Sequence, residues 1–152
     1  MPLPAQCTEE KAQTLIAALL GKAIQKSPAE AAQLLSSAPL AVASYGDDSG
    51  STQAWAVCDL DFAANAAMAL ILAAPNRAEE LTKAGRFDEQ ILENLGEIFN
   101  VLAQLFAQSD GSQWKLLGVE AEAAPGSKQA SWCFHADIAG YGGGRIAVFL
   151  AE

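Results

Sequence analysis

The stretch FDEQILENLGEIFNVLAQLFAQ, residues 87–108, decides how the rest of the chain is read. Its apolar residues are Ile91, Leu92, Leu95, Ile98, Phe99, Leu102, Leu105 and Phe106. They recur at spacings of three and four, which predicts one α-helix with a single buried stripe. The opposite stripe holds Glu93, Glu97, Asn100 and Gln104. Residues three and four apart are neighbours on a helix, so these four stack along one face. A carboxylate and a carboxamide held side by side on a rigid element can position a charged partner and a water molecule. No other constellation in the chain has that character.

Working outward toward the N-terminus, Thr8 can cap a first helix whose opening turn carries Glu9 and Glu10. Leu15, Ile16, Leu19, Leu20 and Ile24 continue its stripe. Ser27-Pro28 is expected to end it and to open a short second helix bearing Ala31, Leu34 and Leu35. Residues 40–45 and 53–60 read as strands around the turn-forming cluster GDDSGS, hence a β-hairpin. Asp61 is expected to cap a third helix over residues 62–74, broken by Pro75-Asn76, with a short helix over 77–83 and Gly85 leading into the long one.

Toward the C-terminus, beyond Asp110-Gly111, the apolar period becomes two. Residues 114–123 are strand-like, and Trp132, Phe134, Ala136 and Ile138 alternate with Ser131, Cys133, His135 and Asp137. Tyr141-Gly142-Gly143-Gly144 reads as a turn before a closing strand with Ile146, Val148 and Leu150. Hairpins dominate and helical crossovers are few. The expected class is α+β, with long helices packed on one face of a mainly antiparallel sheet. The order of elements hints at a duplicated half, although no sequence repeat marks it.

The chain has 152 residues, of which 51% are hydrophobic, enough for a real core, and residues 1–152 are expected to form a single domain. The formal net charge of −9 repels phosphate backbones, and the 9 basic residues are scattered, so no nucleic-acid binding is expected. The N-terminal MPLPAQCTEE has acidic residues where a secretory leader is positive. The longest apolar stretch, residues 62–75, is interrupted by Asn65 and falls short of the roughly 20 residues of a bilayer span. A cytoplasmic protein with no membrane association is the expectation.

The other constellations are weaker. Cys7, Cys58 and Cys133 are odd in number and form no CxxC pair, so buried reduced thiols are expected. Cys133, His135 and Asp137 share one strand face, but same-face neighbours diverge and no further ligand is at hand, so neither a metal site nor a Cys–His pair is expected. The run from Gly140 to Arg145 lacks the Gly-Lys-Ser/Thr of a P-loop. The Asp47–Ser51 segment lacks the bidentate glutamate of a calcium loop and reads as a solvated turn.

The segment Leu95-Gly-Glu-Ile-Phe-Asn-Val-Leu102 resembles the helix of the CheX/CheC/FliY family of bacterial chemotaxis phosphatases, which carry Glu-x-x-Asn in a run of the form LxEIxNIL. The family pattern continues with a later proline, here Pro125, which is expected to shape a strand edge or turn rather than take part in chemistry. The likeness spans nearly the whole chain in organisation and about eight residues in motif. It implies a CheC-like fold and a substrate that is the aspartyl phosphate of a response-regulator receiver domain. Asn100 would hold the attacking water in line, and Glu97 would pair with the receiver's lysine. Glu93 and Gln104 would lie at the docking surface. No cofactor is expected of this chain; Mg²⁺ would belong to the receiver. One motif per chain is closer to CheX, whose members tend to form dimers, so a homodimer is also implied. Where the family usually has Asp or Ser this chain has Glu93, and bulky Phe99 precedes Asn100. Those two features suit an alternative, a non-catalytic CheX-like module that binds a receiver or another signalling protein.

Overall fold

The computed structural model describes residues 3–126 and 129–151. Among these residues six strands form one antiparallel sheet, and helices pack on it. In chain order the elements are α1 (Glu9–Leu20), β1 (Ile24–Pro28), α2 (Ala31–Leu35), β2 (Leu40–Gly46), β3 (Thr52–Asp59), α3 (Leu60–Leu70), α4 (Pro75–Ala84), α5 (Glu89–Leu102), β4 (Lys115–Ala121), β5 (Ala130–Ile138) and β6 (Gly142–Leu150). The sheet order is β1-β5-β6-β3-β2-β4.

That order contains the duplication at which the element sequence hints. Exchanging β1 with β4, β2 with β5 and β3 with β6 maps the order onto its own reverse. One unit is α1-β1-β2-β3, with α2 inserted; the other is α5-β4-β5-β6. Each unit sends its first strand to the other unit's hairpin, so β1 pairs β5 and β4 pairs β2. The two hairpins meet along β3 and β6, with Ala56 opposite Val148 near the middle.

The large core lies between α1, α3 and α5 and one sheet face, and includes Ile16, Phe62, Met68, Leu95, Ile98, Tyr45, Phe134 and Val148. The opposite face carries a smaller cluster of Leu34, Leu40, Val42, Val57, Cys133, Ala147 and Phe149, which α2 covers. Strand β6 is therefore apolar at successive positions 146–149, as a central strand buried on both sides must be.

Several sequence expectations change. Gly21, at φ +64°, ends α1, so Ile24 opens an edge strand instead of extending the helix. Ser27 and Pro28 close that strand, and α2 starts after Glu30. A proline is tolerated there because an edge strand need not donate on its outer side. The cap of α3 is Asp59, whose Oδ1 accepts from the Phe62 amide at 2.9 Å, and not Asp61. Gly142–Gly144 lie in β6, while the turn is formed by Ala139, Gly140 and Tyr141. A Cβ at Gly144 would collide with the Phe62 backbone and the Asp59 carboxylate, so this glycine lets β6 run hard against the start of α3.

Asp59 is the link between those elements. Its carboxylate also accepts from the Arg145 amide at 3.2 Å and faces the Arg145 guanidinium at 3.8 Å. Burial pushes its carboxyl above the ordinary value, against the pull of the Phe62 and Arg145 amides. An acid with a raised native pKa binds its proton more tightly folded than unfolded. Its contribution is complete below the unfolded value near 3.8 and is lost as pH rises through the native value. Asp59→Asn keeps an accepting oxygen and has no proton to lose. The stability of the wild type relative to Asp59→Asn is therefore expected to fall as pH rises above about 4, as read by urea unfolding of both proteins.

A second strained point closes α3. The Ala73 amide bonds Met68's carbonyl, and the Leu72 amide bonds Ala69's. This double bond is the Schellman arrangement, which normally has glycine at the left-handed position. Here that position is Leu72, at φ +56° and 74% exposed. The turn is pinned by the Tyr141 hydroxyl donating to Ala73's carbonyl at 2.5 Å. Leu72→Gly removes the steric penalty and no core contact, so it is expected to stabilise the fold by about 1 kcal/mol, seen as a raised thermal midpoint.

Candidate functional site

Helix α5 begins where Asp88 Oδ1 accepts from the Ile91 amide at 2.8 Å, with Glu89 in the first turn. Ile91, Leu95, Ile98, Phe99 and Leu102 are buried, Leu92 half-buried. That burial fixes the rotation of the helix about its axis. The opposite stripe must then face outward, and Glu93, Glu97, Asn100 and Gln104 are all exposed. Glu97 and Asn100 lie one turn apart, about 4.5 Å along the axis.

The helical run is shorter than the apolar pattern predicts. The α-helix stops at Leu102, and Ala103–Phe106 form a 3₁₀ turn. Leu105 and Phe106 remain buried, so the hydrophobic reading holds across the change of pitch. Gln104 sits in the tighter turn and is rotated out of strict line with Glu93, Glu97 and Asn100.

Electrostatically the outer face of α5 is negative and unspent. Among the described residues neither Glu93 nor Glu97 has an ion-pair or hydrogen-bond partner, and no basic residue lies in the last turn of α5. The acids of the symmetry-related helix differ. Lys26 of β1 binds Glu9 at 2.7 Å and Glu10 at 3.4 Å, so α1's first-turn charge is consumed within the fold. The α5 stripe is thus a ridge able to meet a cation. Glu97 and Asn100 line none of four surface grooves, which lie beside β1, beside residues 3–6, between the α2–β2 link and residues 122–124, and between α3, α4 and the start of β6. A small substrate would want a concave enclosure. A ridge suits a macromolecule with its own pocket.

Phe99 is completely buried. The bulky side chain that precedes Asn100 in sequence points into the core, so it cannot obstruct whatever approaches Asn100. Its carbonyl accepts the hydroxyl of Tyr45 at 2.5 Å.

The other constellations resolve simply. All three cysteines are free and buried. Burial pushes Cys7 and Cys133 up to about 11 and Cys58 well above its usual range, so none is a ready nucleophile. No group of three metal-ligating side chains occurs among the described residues. Asp47 closes the β2–β3 turn by accepting from the Ser49 hydroxyl at 2.5 Å and the Ser49 amide at 3.0 Å, which holds its carboxyl below the usual value. That carboxylate is spent on the turn. No helix of the described residues is long and apolar enough to cross a membrane.

Superposition on solved structures places this geometry in context. The chain matches the FliM middle domain from Vibrio alginolyticus with a TM-score of 0.60 and 12% identity, over 90% of this chain and 83% of that one. It matches FliM in the FliM–SpeE complex from H. pylori with a TM-score of 0.61 and 10% identity, over 93% and 80%. It matches FliY from Thermotoga maritima with a TM-score of 0.55 and 15% identity, over 93% and 82%. The fold is CheC-like. The expected α+β class, with helices on a mainly antiparallel sheet, therefore stands. At these identities the likeness is one of fold. No family model matches the sequence, and no curated protein does.

The reading from sequence missed Asn94, a polar residue placed within the apolar stripe. It is only 9% exposed, and its Nδ2 donates to Ala67's carbonyl at 3.3 Å, tying α5 to α3. Its signal was present: it lies three residues from Ile91 and four from Ile98. The two asparagines on α5 are therefore expected to separate cleanly. Asn100→Ala should leave stability within about 0.5 kcal/mol of wild type, whereas Asn94→Ala should cost about 1–3 kcal/mol by denaturant unfolding.

Proposed function

We propose that this chain docks a phosphorylated response-regulator receiver domain on the outer face of α5 and accelerates hydrolysis of its aspartyl phosphate. The observation that carries the reading is the exposed Glu97, unpartnered among the described residues, one turn from the exposed Asn100 on a helix whose rotation is locked by its core stripe. Glu97 pairs with the receiver's lysine. Asn100 enters the receiver's pocket, where its amide both donates to and accepts from the attacking water. Water oxygen bonds to phosphorus, the bond from phosphorus to the aspartyl oxygen breaks, and inorganic phosphate and free carboxylate result. An amide stays neutral beside a phosphoryl group, and such transfer is accelerated mainly by positioning and electrostatics. The Mg²⁺ is the receiver's own, so this chain supplies no metal. Glu93 and Gln104 flank the pair at the docking surface.

Three features support this reading. The Glu-x-x-Asn resemblance falls on the outward stripe, Phe99 leaves the approach clear, and the ridge fits a partner that brings its own pocket. The reading also treats residues 1–152 as one functional unit acting in the cytoplasm, where receivers are phosphorylated, and carries a CheX-like homodimer with it.

A second reading is a non-catalytic docking module. It is favoured by Glu93 at a position where the phosphatases usually have a shorter side chain, and by FliM structures solved with SpeE and with FliG, in which a protein of this fold engages another protein. The decay of a phosphorylated receiver separates the two. With wild type, decay should accelerate; with Asn100→Ala that acceleration should drop about 100-fold, near 2.7 kcal/mol. Glu97→Ala should mainly raise the concentration needed for half-maximal effect. A receiver that binds the wild type yet decays at its intrinsic rate would leave the docking reading in place of the catalytic one.

A further inference from the structure

Tyr45 does more than its packing requires. Its ring is fully buried on β2, with its centroid 4.5 Å from that of Phe106, which in turn stacks on Trp114 at 5.8 Å. A phenylalanine would fill the same space. The hydroxyl instead reaches across to α5 and donates to the carbonyl of Phe99, the residue immediately before Asn100. In an uninterrupted α-helix that carbonyl would accept from the amide of Ala103. Here the Ala103 amide bonds the carbonyls of Asn100 and Val101, and the 3₁₀ turn begins. The Phe99 carbonyl thus had a partner available without Tyr45, so the hydroxyl does not rescue an orphaned group. It diverts one, and the helix changes pitch at Ala103, the residue whose amide that carbonyl would have received.

The strand is shaped to deliver that hydroxyl. The register of β2 slips between Ser44 and Tyr45 on its β4 side and between Tyr45 and Gly46 on its β3 side. Such irregularities re-aim a side chain out of the regular pleat. A Cβ at Gly46 would strike the Ser51 carbonyl, so the slip is accommodated by a glycine beside Tyr45. Burial keeps the phenol protonated, and hence a donor, at all ordinary pH.

We propose that Tyr45 is a positioning residue for Asn100: by drawing the Phe99 carbonyl out of the helix ladder it sets the backbone beneath Asn100 and holds that side chain in one orientation. The catalytic consequence rests on the receiver-phosphatase reading of α5; the geometric claim does not.

The test is Tyr45→Phe, in the full chain. Three-bond couplings from the Asn100 Cγ to its own backbone nitrogen and carbonyl carbon report its χ1 angle. They should show one rotamer in wild type and averaging in Tyr45→Phe, while the Ala103 amide moves its hydrogen bond to Phe99. Unchanged couplings would overturn the proposal. Where wild type accelerates receiver decay, Tyr45→Phe should lower the maximal rate about tenfold at an unchanged half-saturating concentration. A shift in half-saturation alone, or an unaltered rate, would overturn it as well. Val57→Ala, which thins the smaller cluster on the opposite sheet face, should leave both readouts at wild-type values; a matching loss there would mean that stability, not positioning, governs them. Should Tyr45→Phe fail to fold, Phe106→Leu loosens the ring against which Tyr45 packs, keeps the hydroxyl, and should give a smaller change of the same kind; no change there would overturn the proposal. If wild type does not accelerate decay, the phosphatase reading falls alone, and the Asn100 couplings still decide the role of Tyr45.

Discussion

The antiparallel pairing of β3 with β6 is the central contact between the two halves of this chain, where their hairpins meet. Everything else is arranged around it. Each hairpin presents one strand to that seam and the other to a strand borrowed from the opposite half, so the outer pairs β1–β5 and β4–β2 join the halves as well. Asp59 sits where the seam meets α3, capping the helix while accepting the amide of Arg145 on β6. A glycine at 144 is the steric condition for that approach. The sheet then offers an apolar face wide enough to hold α1, α3 and α5 side by side.

This frame explains why a pair of polar side chains on α5 is well directed. The helix buries five residues of its stripe, and Asn94 adds a hydrogen bond to α3, so α5 has little freedom to roll. The outward stripe inherits that fixity. On α1, which fills the equivalent place in the other half, the first-turn acids are neutralised by Lys26. Among the described residues the acids on the outer face of α5 have no such partner. The same architecture therefore yields one structural helix and one with charge to spare.

Much of this was legible in the residues. The alternation of three and four in residues 87–108 placed Glu97 and Asn100 outward, and the period of two in residues 131–138 placed β5. The hairpin around Asp47 was readable because Asp, Ser and Gly close turns by local hydrogen bonds. The failures share a cause, which is that tertiary contacts outweighed local preference. Ile24–Pro28 is a strand because β5 is there to pair with it; nothing in five residues containing Lys and Pro says so. Asp59 and Asp61 are both competent caps, and the contacts that Asp59 makes with Arg145 on β6 are not readable from local sequence. The glycines at 142–144 resemble a turn until the crowding against Phe62 makes them the residues able to pass. The end of α5 was invisible because a tyrosine remote in sequence, Tyr45, takes a carbonyl from the helix.

The exchange of first strands has a further consequence. Neither α1-β1-β2-β3 nor α5-β4-β5-β6 contains a partner for its own leading strand, so a half cut free would expose both an unmatched ribbon edge and a greasy helix flank. The molecule is in effect a handshake between two like modules, permanently tethered by the α3–α4 link. Such a grip ties both modules to a common interior while their outer skins stay at liberty to specialise, which is how one side can keep a working surface and the other serve as ballast.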